Sequence, residues 1–566
     1  MTTTTTPPTD AKRARAALVV IASAQLMLVL DDTIANIALP SIQAELGMRS
    51  STLPWVINAY ILAFGGLLLL GGTLGDLAGR RRVLRIGLVL FTASSVVAGI
   101  AGTQEALIAA RALQGVGAAL AALNLLALIT TTYSPGAARD KALAVYAAVS
   151  GIGITGGLLL GGVLVSTLGW RSVFLVNLPI GLVVLAGTRT LTESGRAGGR
   201  LDVLGAVTAT TGLVALVFGV THSGEAGVDA PVTLAALALA AVVLLVFLAR
   251  QRLARAPMLP LVILADRNRA GSYVATAVIG GGLMGGFYLL TLFLQNLAGY
   301  DPLRTGLAFI PFSIGIIAGS AVGSSLASRA SSRLLAGAGL LVAAGGLFWL
   351  SRISQESSYL LHIAPALLLT AAGLGGSFLV LTLTAVRAVP HEVVGIASSL
   401  VNTAQQVGAA IGLAALTATA VAVSAAEPDP ISSGALSAGY SAAFVVAAIA
   451  AVGAAALVSV TVTTRTSASS RRHRTGTSGD GGCGARPSIP TPVRPDRAHG
   501  RLPSENADPR ESEMKRVKAL LLWLLRREPA ALPDDPFGEP GGREPLPHTA
   551  DSVAGSRLPV NALRAH

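Results

Sequence analysis

Two adjacent carboxylates, Asp31 and Asp32, interrupt a long apolar segment near the start of the chain. A charged side chain near the centre of a bilayer costs roughly 2.5–3.5 kcal/mol on insertion scales, so an acid in such a segment is a functional candidate. Two neighbouring carboxylates with little water do not both ionise easily, because burial and mutual repulsion oppose the second charge. The pair therefore predicts proton exchange near neutral pH. The alternative is a pair at the water interface that only marks a helix end.

Helical periodicity separates the two acids. A spacing of three to four residues, or a multiple of it, places Gln25, Asp32 and Asn36 along one face, whereas Asp31 shares its face with Ala24. Periodicity alone thus favours Asp32 as the acid that faces a cavity.

A guanidinium and an amide lie inside another apolar segment, in the run Arg111-Ala112-Leu113-Gln114. Arg111 needs an acceptor, which an acid or a carbonyl of the first segment could supply. A fixed positive charge favours the ionised form of a nearby carboxylate, so this pairing gives substrate or conformation a route to control proton release. A helix-end arginine that snorkels to the interface fits less well, because Arg111 lies several residues inside the segment.

Uncharged polar side chains inside apolar segments are the candidates for lining a substrate cavity. They are Asn36, Gln114, Gln295, Asn296, Asn402, Gln405 and Gln406. Interhelical hydrogen bonds explain the last five about as well.

A glycine-punctuated, arginine-rich loop, Gly72-Thr73-Leu74-Gly75-Asp76-Leu77-Ala78-Gly79-Arg80-Arg81-Arg82, joins two apolar segments. Simple anchoring by its arginines does not explain why Asp76 stands between Gly72 and Gly79.

Small residues recur in a later apolar segment, where Gly153, Gly157, Gly161 and Gly162 include pairs four residues apart. This spacing lets helices approach closely in lipid. Ordinary packing is one interpretation, and a pliable contact that permits two arrangements of the helices is the other.

The composition indicates the elements that must position these residues. The 566 residues are 52% hydrophobic and 13% charged, with a mean hydropathy of +0.66, which is typical of a membrane protein. A spanning helix needs about 20 mostly apolar residues. The sequence predicts an all-α polytopic protein with about 14 spans. They are 16–39, 53–74, 83–101, 106–131, 142–166, 172–190, 202–222, 231–249, 271–297, 303–326, 334–351, 359–386, 393–423 and 439–463.

Basic residues are concentrated in alternate loops. One set contains Lys12, Arg13, Arg15, Arg80, Arg81, Arg82, Arg85, Arg139, Lys141, Arg196, Arg200, Arg250, Arg252, Arg255, Arg267, Arg269, Arg329 and Arg333. The opposite loops carry mainly Glu45, Glu105, Glu225, Asp229, Asp301, Glu356, Glu427 and Asp429. By the positive-inside rule the basic loops are cytoplasmic, and an even number of spans places both termini there.

Other functions have little support in the sequence. The formal charge of +13 follows from cytoplasmic arginines and a basic tail, so no nucleic-acid partner is expected. The single Cys483 excludes a cysteine metal site. His222, His362 and His391 are scattered near span ends, and no phosphate-binding loop is present, so neither an enzyme nor a receptor is indicated. No cofactor or metal is expected, and a proton gradient supplies the driving force.

A resemblance to a known family rests on several of these motifs. The Gly72–Arg82 loop resembles the signature loop of the major facilitator superfamily. This resemblance implies a role in conformational gating for Gly72, Asp76, Gly79, Arg80 and Arg81. Arg111–Gly117 resembles the fourth-span motif of the same superfamily, associated with proton coupling. Asp31-Asp32-Thr33 with Asn36 and Ala38-Leu39-Pro40 is similar to the first-span motif of the fourteen-span drug:proton antiporter branch, whose acid corresponds to Asp31. The resemblance therefore implies that Asp31 is the proton-coupling acid, with Asp32 as its partner. Further matches are Trp170-Arg171 with Phe174, Asn177, Pro179 and Gly181; Leu294-Gln295-Asn296 with Gly299-Tyr300; and Asn402-Thr403 with Gln405-Gln406-Val407-Gly408. Leu158 stands where the branch usually has a proline.

The resemblance implies two six-helix bundles, at 16–190 and 271–464, linked by 191–270 with two further spans. Residues 1–15 form a cytoplasmic segment and 465–566 a disordered basic cytoplasmic tail, in which 514–527 could form a short amphipathic helix or have no function. The expected function is proton-coupled export of hydrophobic or amphipathic drugs across the cell membrane by a monomer surrounded by lipid. The alternative is an exporter dedicated to one metabolite, such as an antibiotic, a siderophore or a lipid.

Overall fold

The structure is a computed structural model that describes residues 8–134, 136–193, 201–254, 257–387, 389 and 394–463. The helices are α1 Pro8–Leu46, α2 Trp55–Ala78, α3 Arg80–Gly99, α4 Gln104–Thr132, α5 Ala137–Leu168, α6 Ser172–Leu175, α7 Asn177–Gly187, α8 Val203–Ala226, α9 Pro231–Leu253, α10 Leu261–Leu264, α11 Arg267–Leu292, α12 Pro302–Ala308, α13 Ile310–Leu326, α14 Ser332–Leu350, α15 Ala364–Val386, α16 Val394–Ala425 and α17 Ser433–Thr461. A 3₁₀ turn, Thr188–Thr190, extends α7, and π turns Phe293–Leu297 and Tyr359–Ile363 adjoin α11 and α15.

Fourteen stretches of these described residues are long and apolar enough to cross a membrane, which confirms the predicted all-α polytopic fold. Several predicted spans contain breaks that hydropathy does not reveal. The sixth divides into α6 and α7, and the tenth divides at Phe309 into α12 and α13. The predicted tail and its 514–527 helix lie outside the described residues.

The helices pack mainly as pairs of neighbours. In the first part of the chain α1 packs on α5, and α4 packs on both α2 and α3. In the last part α13 and α14 pack on α15, and α11 packs on α16. The linking helices α8 and α9 pack on each other, and α8 also contacts α2 and α16.

Polar side chains at loop positions begin several helices. The side chains of Thr103, Asp202, Asp266, Asp301, Ser331 and Ser432 each accept a hydrogen bond from a backbone N–H in the first turn of the following helix. Such caps satisfy backbone donors that have no partner within the helix.

Helix α1 is longer than predicted, and this changes the position of the acids. The predicted span ends at Leu39, whereas α1 continues through Pro40 to Leu46. Proline is tolerated in membrane helices when neighbouring groups satisfy the freed backbone. The acids therefore lie near the middle of α1, not at its end, and Asp31 is only 1% exposed. The alternative of a pair at the water interface is wrong.

Glycines of α5 bring that helix close to α1. A Cβ atom added at Gly153 would meet Val29, and one at Gly157 would meet Thr33. Gly162 faces the backbone of Pro302 at the start of α12. Gly161 likewise lies against the backbone of Ile34. The small-residue spacing thus corresponds to close helix packing along α1 and α12.

Candidate functional site

A buried ion pair joins α1 to α4. Arg111 Nη1 donates to Asp31 Oδ2 over 2.6 Å, and the arginine and aspartate side chains are 0% and 1% exposed. Asp31 Oδ1 accepts two further hydrogen bonds, from Gln114 Nε2 and from Asn177 Nδ2, each at 2.6 Å. Both carboxylate oxygens of Asp31 are therefore occupied by donors from α4 and α7.

Arg111 is held from several sides as well. Its Nε donates to the Val56 carbonyl oxygen over 2.9 Å, and its guanidinium carbon lies 4.4 Å from the centre of the Tyr60 ring. Its Nη1 also donates to Gln114 Oε1 over 2.8 Å. A buried charge is tolerated when it is paired and hydrogen-bonded in this way. The cluster fixes α1, α2, α4 and α7 to one another.

A cavity of about 400 Å³ adjoins this cluster. Its polar lining consists of Gln25, Asp32, Thr33, Asn36, Tyr60, Tyr146, Ser150, Asn402, Gln405 and Gln406. Its apolar lining includes Phe64, Met284, Phe287 and Phe378. Most of the lining atoms are thus apolar or aromatic, with hydroxyls and amides between them, a combination that accommodates amphipathic small molecules.

Asp32 is the only charged side chain among the described residues that line this cavity. Its Oδ1 is buried and has no hydrogen-bond partner within the described ranges. Gln25 and Asn36, which helical spacing predicted to share its face, also line the cavity. Asp31 and Asp32 therefore lie on different sides of α1, one inside the ion-pair cluster and the other in the cavity.

The predicted cavity residues divide into two groups. Asn36, Asn402, Gln405 and Gln406 line the cavity, but three others do not. They are Gln114, Gln295 and Asn296.

These three residues lie outside the lining of this cavity for geometric reasons. The amide of Gln114 points to Asp31 and to Ser95 Oγ, 2.8 Å away. Gln295 lies in the π turn after α11 and donates to the Ile37 carbonyl oxygen over 3.0 Å, so it makes the interhelical bond that was the alternative. Asn296 is an exposed neighbour in the same turn.

The loop between α2 and α3 forms a compact charge cluster. Arg80 Nε donates to Asp76 Oδ1 over 2.8 Å, and Arg80 Nη1 donates to the Ala127 carbonyl oxygen of α4 over 3.3 Å. Gly79 has a φ of +104°, a conformation that glycine adopts without steric cost. Gly72 lies against Leu123, where α2 approaches α4.

Sequence reasoning missed one member of this cluster, Glu193. Its Oε1 accepts a hydrogen bond from the backbone N–H of Arg81 over 3.0 Å, at the N-terminus of α3. A carboxylate there satisfies a free backbone donor and lies near the positive end of the helix dipole. The signal that could have found it is an isolated acid directly after the sixth span, on the same side of the membrane as the arginine loop.

Asn177 was also missed as a site residue, although it belongs to a matched motif. An amide one turn inside an otherwise apolar span needs a buried partner, and here that partner is Asp31. The aromatic lining residues carry no sequence signal of their own, because aromatic side chains also occur throughout the helix packing.

The cavity lies toward the helix ends that carry the arginine loops. Leu126, Tyr146 and Asn402, which line it, belong to the halves of α4, α5 and α16 nearer those loops. At the opposite ends, α1 and α5 contact α11 and α12. Gln295 bonds to Ile37 there, and Gly162 packs against Pro302. The helices thus close the cavity on the side of the acidic loops.

Comparisons with solved structures agree with this architecture. A bacterial homologue of the human lysosomal transporter Spinster, in an inward-facing and unoccupied conformation, aligns with a TM-score of 0.58 over 81% of this chain and 98% of that chain. The sequence identity is 16%, so the likeness concerns the fold alone.

Sequence comparisons give closer relatives. The puromycin resistance protein pur8 of Streptomyces alboniger is 42% identical over 415 residues, covering 72% of this chain and 82% of the relative. The cephamycin export protein CmcT of Amycolatopsis lactamdurans is 38% identical, covering 77% and 90%. The lincomycin resistance protein of Streptomyces lincolnensis is 33% identical, covering 72% and 85%. Residues 21–413 match the family profile of the Major Facilitator Superfamily. The chain therefore belongs to the Major Facilitator Superfamily.

Proposed function

We propose that this transporter exports drug-like or antibiotic small molecules from the cytoplasm in exchange for protons. The observation that carries the proposal is a cavity of about 400 Å³ with one carboxylate, next to a buried carboxylate–arginine pair. Relatives named for resistance to puromycin and lincomycin, and for cephamycin export, support the direction of transport and the class of substrate.

Asp32 is the group that carries the proton in this proposal. Its Oδ1 can accept a proton without breaking any hydrogen bond within the described residues. Protonation of Asp31 would leave the buried Arg111 guanidinium without its counter-charge, and both Asp31 oxygens already accept hydrogen bonds from Arg111, Gln114 and Asn177. Asp31 therefore anchors Arg111, although the family motif points to Asp31 as the acid that exchanges protons.

The proton and the substrate bind in the same cavity, which Asp32 lines. In the conformation described here, a substrate enters the cavity from the side of the arginine loops, which positive-inside topology places in the cytoplasm. Closure on that side and opening on the other exposes Asp32 to the outside, where it takes up a proton as the substrate leaves. After the return to the starting conformation, a new substrate that binds beside Asp32 displaces the proton into the cytoplasm.

The cavity lining indicates the substrate class. Aromatic and aliphatic side chains favour a hydrophobic body, while the amides of Gln25, Asn402, Gln405 and Gln406 offer hydrogen bonds. A single carboxylate neutralises one positive charge at most. Neutral or singly charged amphipathic compounds are therefore preferred over multivalent cations.

Efflux from cells that express the chain tests the function. A panel of lipophilic dyes and antibiotics is loaded, and efflux is followed with and without an uncoupler. Uncoupler-sensitive export of several unrelated compounds is expected. Export of one compound alone would identify a dedicated exporter, and export that is insensitive to the uncoupler would contradict proton coupling.

A further inference from the structure

A groove lies between α14 and α17, and it shares none of its lining residues with the central cavity. This groove has a volume of about 640 Å³. Leu334, Gly337, Ala338, Leu341, Val452, Ala455 and Ala456 line its length, and Ser331, Arg333 and Ser459 lie at one end. Leu334 is 64% exposed and Leu341 is 54% exposed on spanning helices. The groove therefore opens to the lipid.

Small side chains create the depth of the groove. A Cβ atom added at Gly337 would meet nothing within 4 Å, and Ala338, Ala455 and Ala456 each carry only a methyl group. From Arg333 to Leu341 the groove runs about 12 Å along α14, at roughly 1.5 Å per residue. One leaflet contributes about 15 Å to the hydrocarbon core. The groove thus matches one acyl chain of one leaflet in length.

The polar end of the groove carries an arginine with free donors. Arg333 is exposed and has neither an ion pair nor a hydrogen bond within the described ranges. It lies in the first turn of α14, where the helix dipole is positive. The positive-inside rule places this end of the helix at the cytoplasmic headgroups. The positive charge of Arg333 complements a lipid phosphate. The aliphatic part of the groove complements an acyl chain of the same lipid.

We infer that the α14–α17 groove binds one anionic phospholipid, with its phosphate at Arg333 and one acyl chain along Gly337 and Leu341. A free phosphate would contact only Arg333, whereas a lipid would also fill the apolar part of the groove. The site lies apart from the transport cavity.

Native mass spectrometry of the full chain in detergent tests this inference, with phosphatidylglycerol and phosphatidylcholine titrated separately. One tight phosphatidylglycerol site is expected. Arg333→Gln should weaken it about fivefold, since a basic residue near the membrane surface contributes about 1 kcal/mol. Gly337→Leu should abolish phosphatidylglycerol binding, because the leucine side chain would fill the groove.

Two control variants show whether a loss of lipid binding is specific to the groove or follows from any added leucine or any lost arginine. Gly345 lies on the same helix outside the groove and also has open space around an added Cβ, so Gly345→Leu should bind lipid like the wild type. Arg252→Gln removes an exposed arginine from the end of α9 and should likewise have no effect. If Gly337→Leu does not fold, Arg333→Gln decides the matter alone. Equal binding of both lipids, or equal retention by Arg333→Gln and Arg252→Gln, would overturn the inference.

Discussion

Asp31 and Asp32 are neighbours in sequence but have opposite surroundings. Asp31 accepts hydrogen bonds from Arg111, Gln114 and Asn177 and has no contact with the cavity, whereas Asp32 lines the cavity with an oxygen that has no partner among the described residues. A step of one residue turns a helix by about 100°, which suffices to divide the two acids between packing and cavity. The comparison separates a carboxylate whose two oxygens are both hydrogen-bonded from one with an oxygen that has no described partner.

Of the substitutions considered, Asp31→Leu should lower the folding stability most. Asp31→Leu leaves the Arg111 guanidinium buried without its counter-charge, so we expect a loss of roughly 3–5 kcal/mol in folding stability. Thermal unfolding in detergent measures it. The double variant Asp31→Leu with Arg111→Leu should recover part of the loss, because neither charge then remains buried. A single variant as stable as the wild type would remove the distinction between the two acids.

A smaller effect is expected where α5 supports α1. A methyl group at Gly157 would lie 3.0 Å from Thr33 Cβ, so Gly157→Ala forces α1 and α5 apart and should cost roughly 1–3 kcal/mol. Gly151→Ala in the same helix is the control, because an added Cβ there meets nothing within 4 Å. Unfolding midpoints of the two variants provide the measurement. Equal midpoints would mean that α1 is not held in position by this contact.

Asp202 offers a second fully bonded carboxylate for comparison with Asp31, at the N-terminal cap of α8 and just before the spanning stretch Val203–Ala226. Burial raises the pKa of Asp202, but hydrogen bonds from Gln251, the Gly205 N–H, Arg250 and the Met258 N–H together outweigh it and lower the pKa. Asp202→Ala removes the cap of α8 and should cost about 1 kcal/mol at neutral pH.

The lowered pKa also fixes the pH dependence of this contribution. A carboxylate whose folded pKa is lowered stabilises the protein fully above its unfolded value, near 3.9 for aspartate, and less as the pH falls through the folded value. The difference between wild type and Asp202→Ala should therefore be constant near neutral pH and shrink below about pH 4. Unfolding midpoints at several pH values test this, and a difference that grows on acidification would contradict it.

The smallest effect on stability is expected at the cavity. Asp32→Asn keeps the shape of the side chain and breaks no described side-chain hydrogen bond, so folding stability should change by less than about 0.5 kcal/mol. The same unfolding assay measures it beside Asp31→Leu. A loss as large as that of Asp31→Leu would show that Asp32 also has a structural role.

Much of the fold could be predicted from the sequence, since long apolar runs in lipid leave a helix as the simplest solution. Fourteen spanning stretches were predicted, and the described residues contain that number. The end of α1 was predicted too early because Pro40 resembles a helix stop. The breaks at Val176 and Phe309 were missed because hydropathy is averaged over a whole span, so that a single polar residue or proline beside each break, Asn177 and Pro311, does not register.

The site was less accessible to sequence reasoning. Helical phase correctly placed Gln25, Asp32 and Asn36 toward one side, because these residues share one regular helix. The partners of Asp31 come from α4 and α7, and only tertiary packing decides that the Gln114 amide turns to Asp31 instead of the cavity. The roles of the two acids in transport remain predictions.

Substrate-induced proton release tests whether Asp32 carries the exchanged proton. The purified transporter is placed in a weakly buffered detergent solution with a pH indicator, and a transported compound identified in the efflux assay is added. We expect proton release by the wild type and none by Asp32→Asn, which should still bind the compound in a separate binding measurement. Undiminished release by Asp32→Asn, with release abolished in a folded Asp31→Asn variant, would contradict the assignment and make Asp31 the proton carrier.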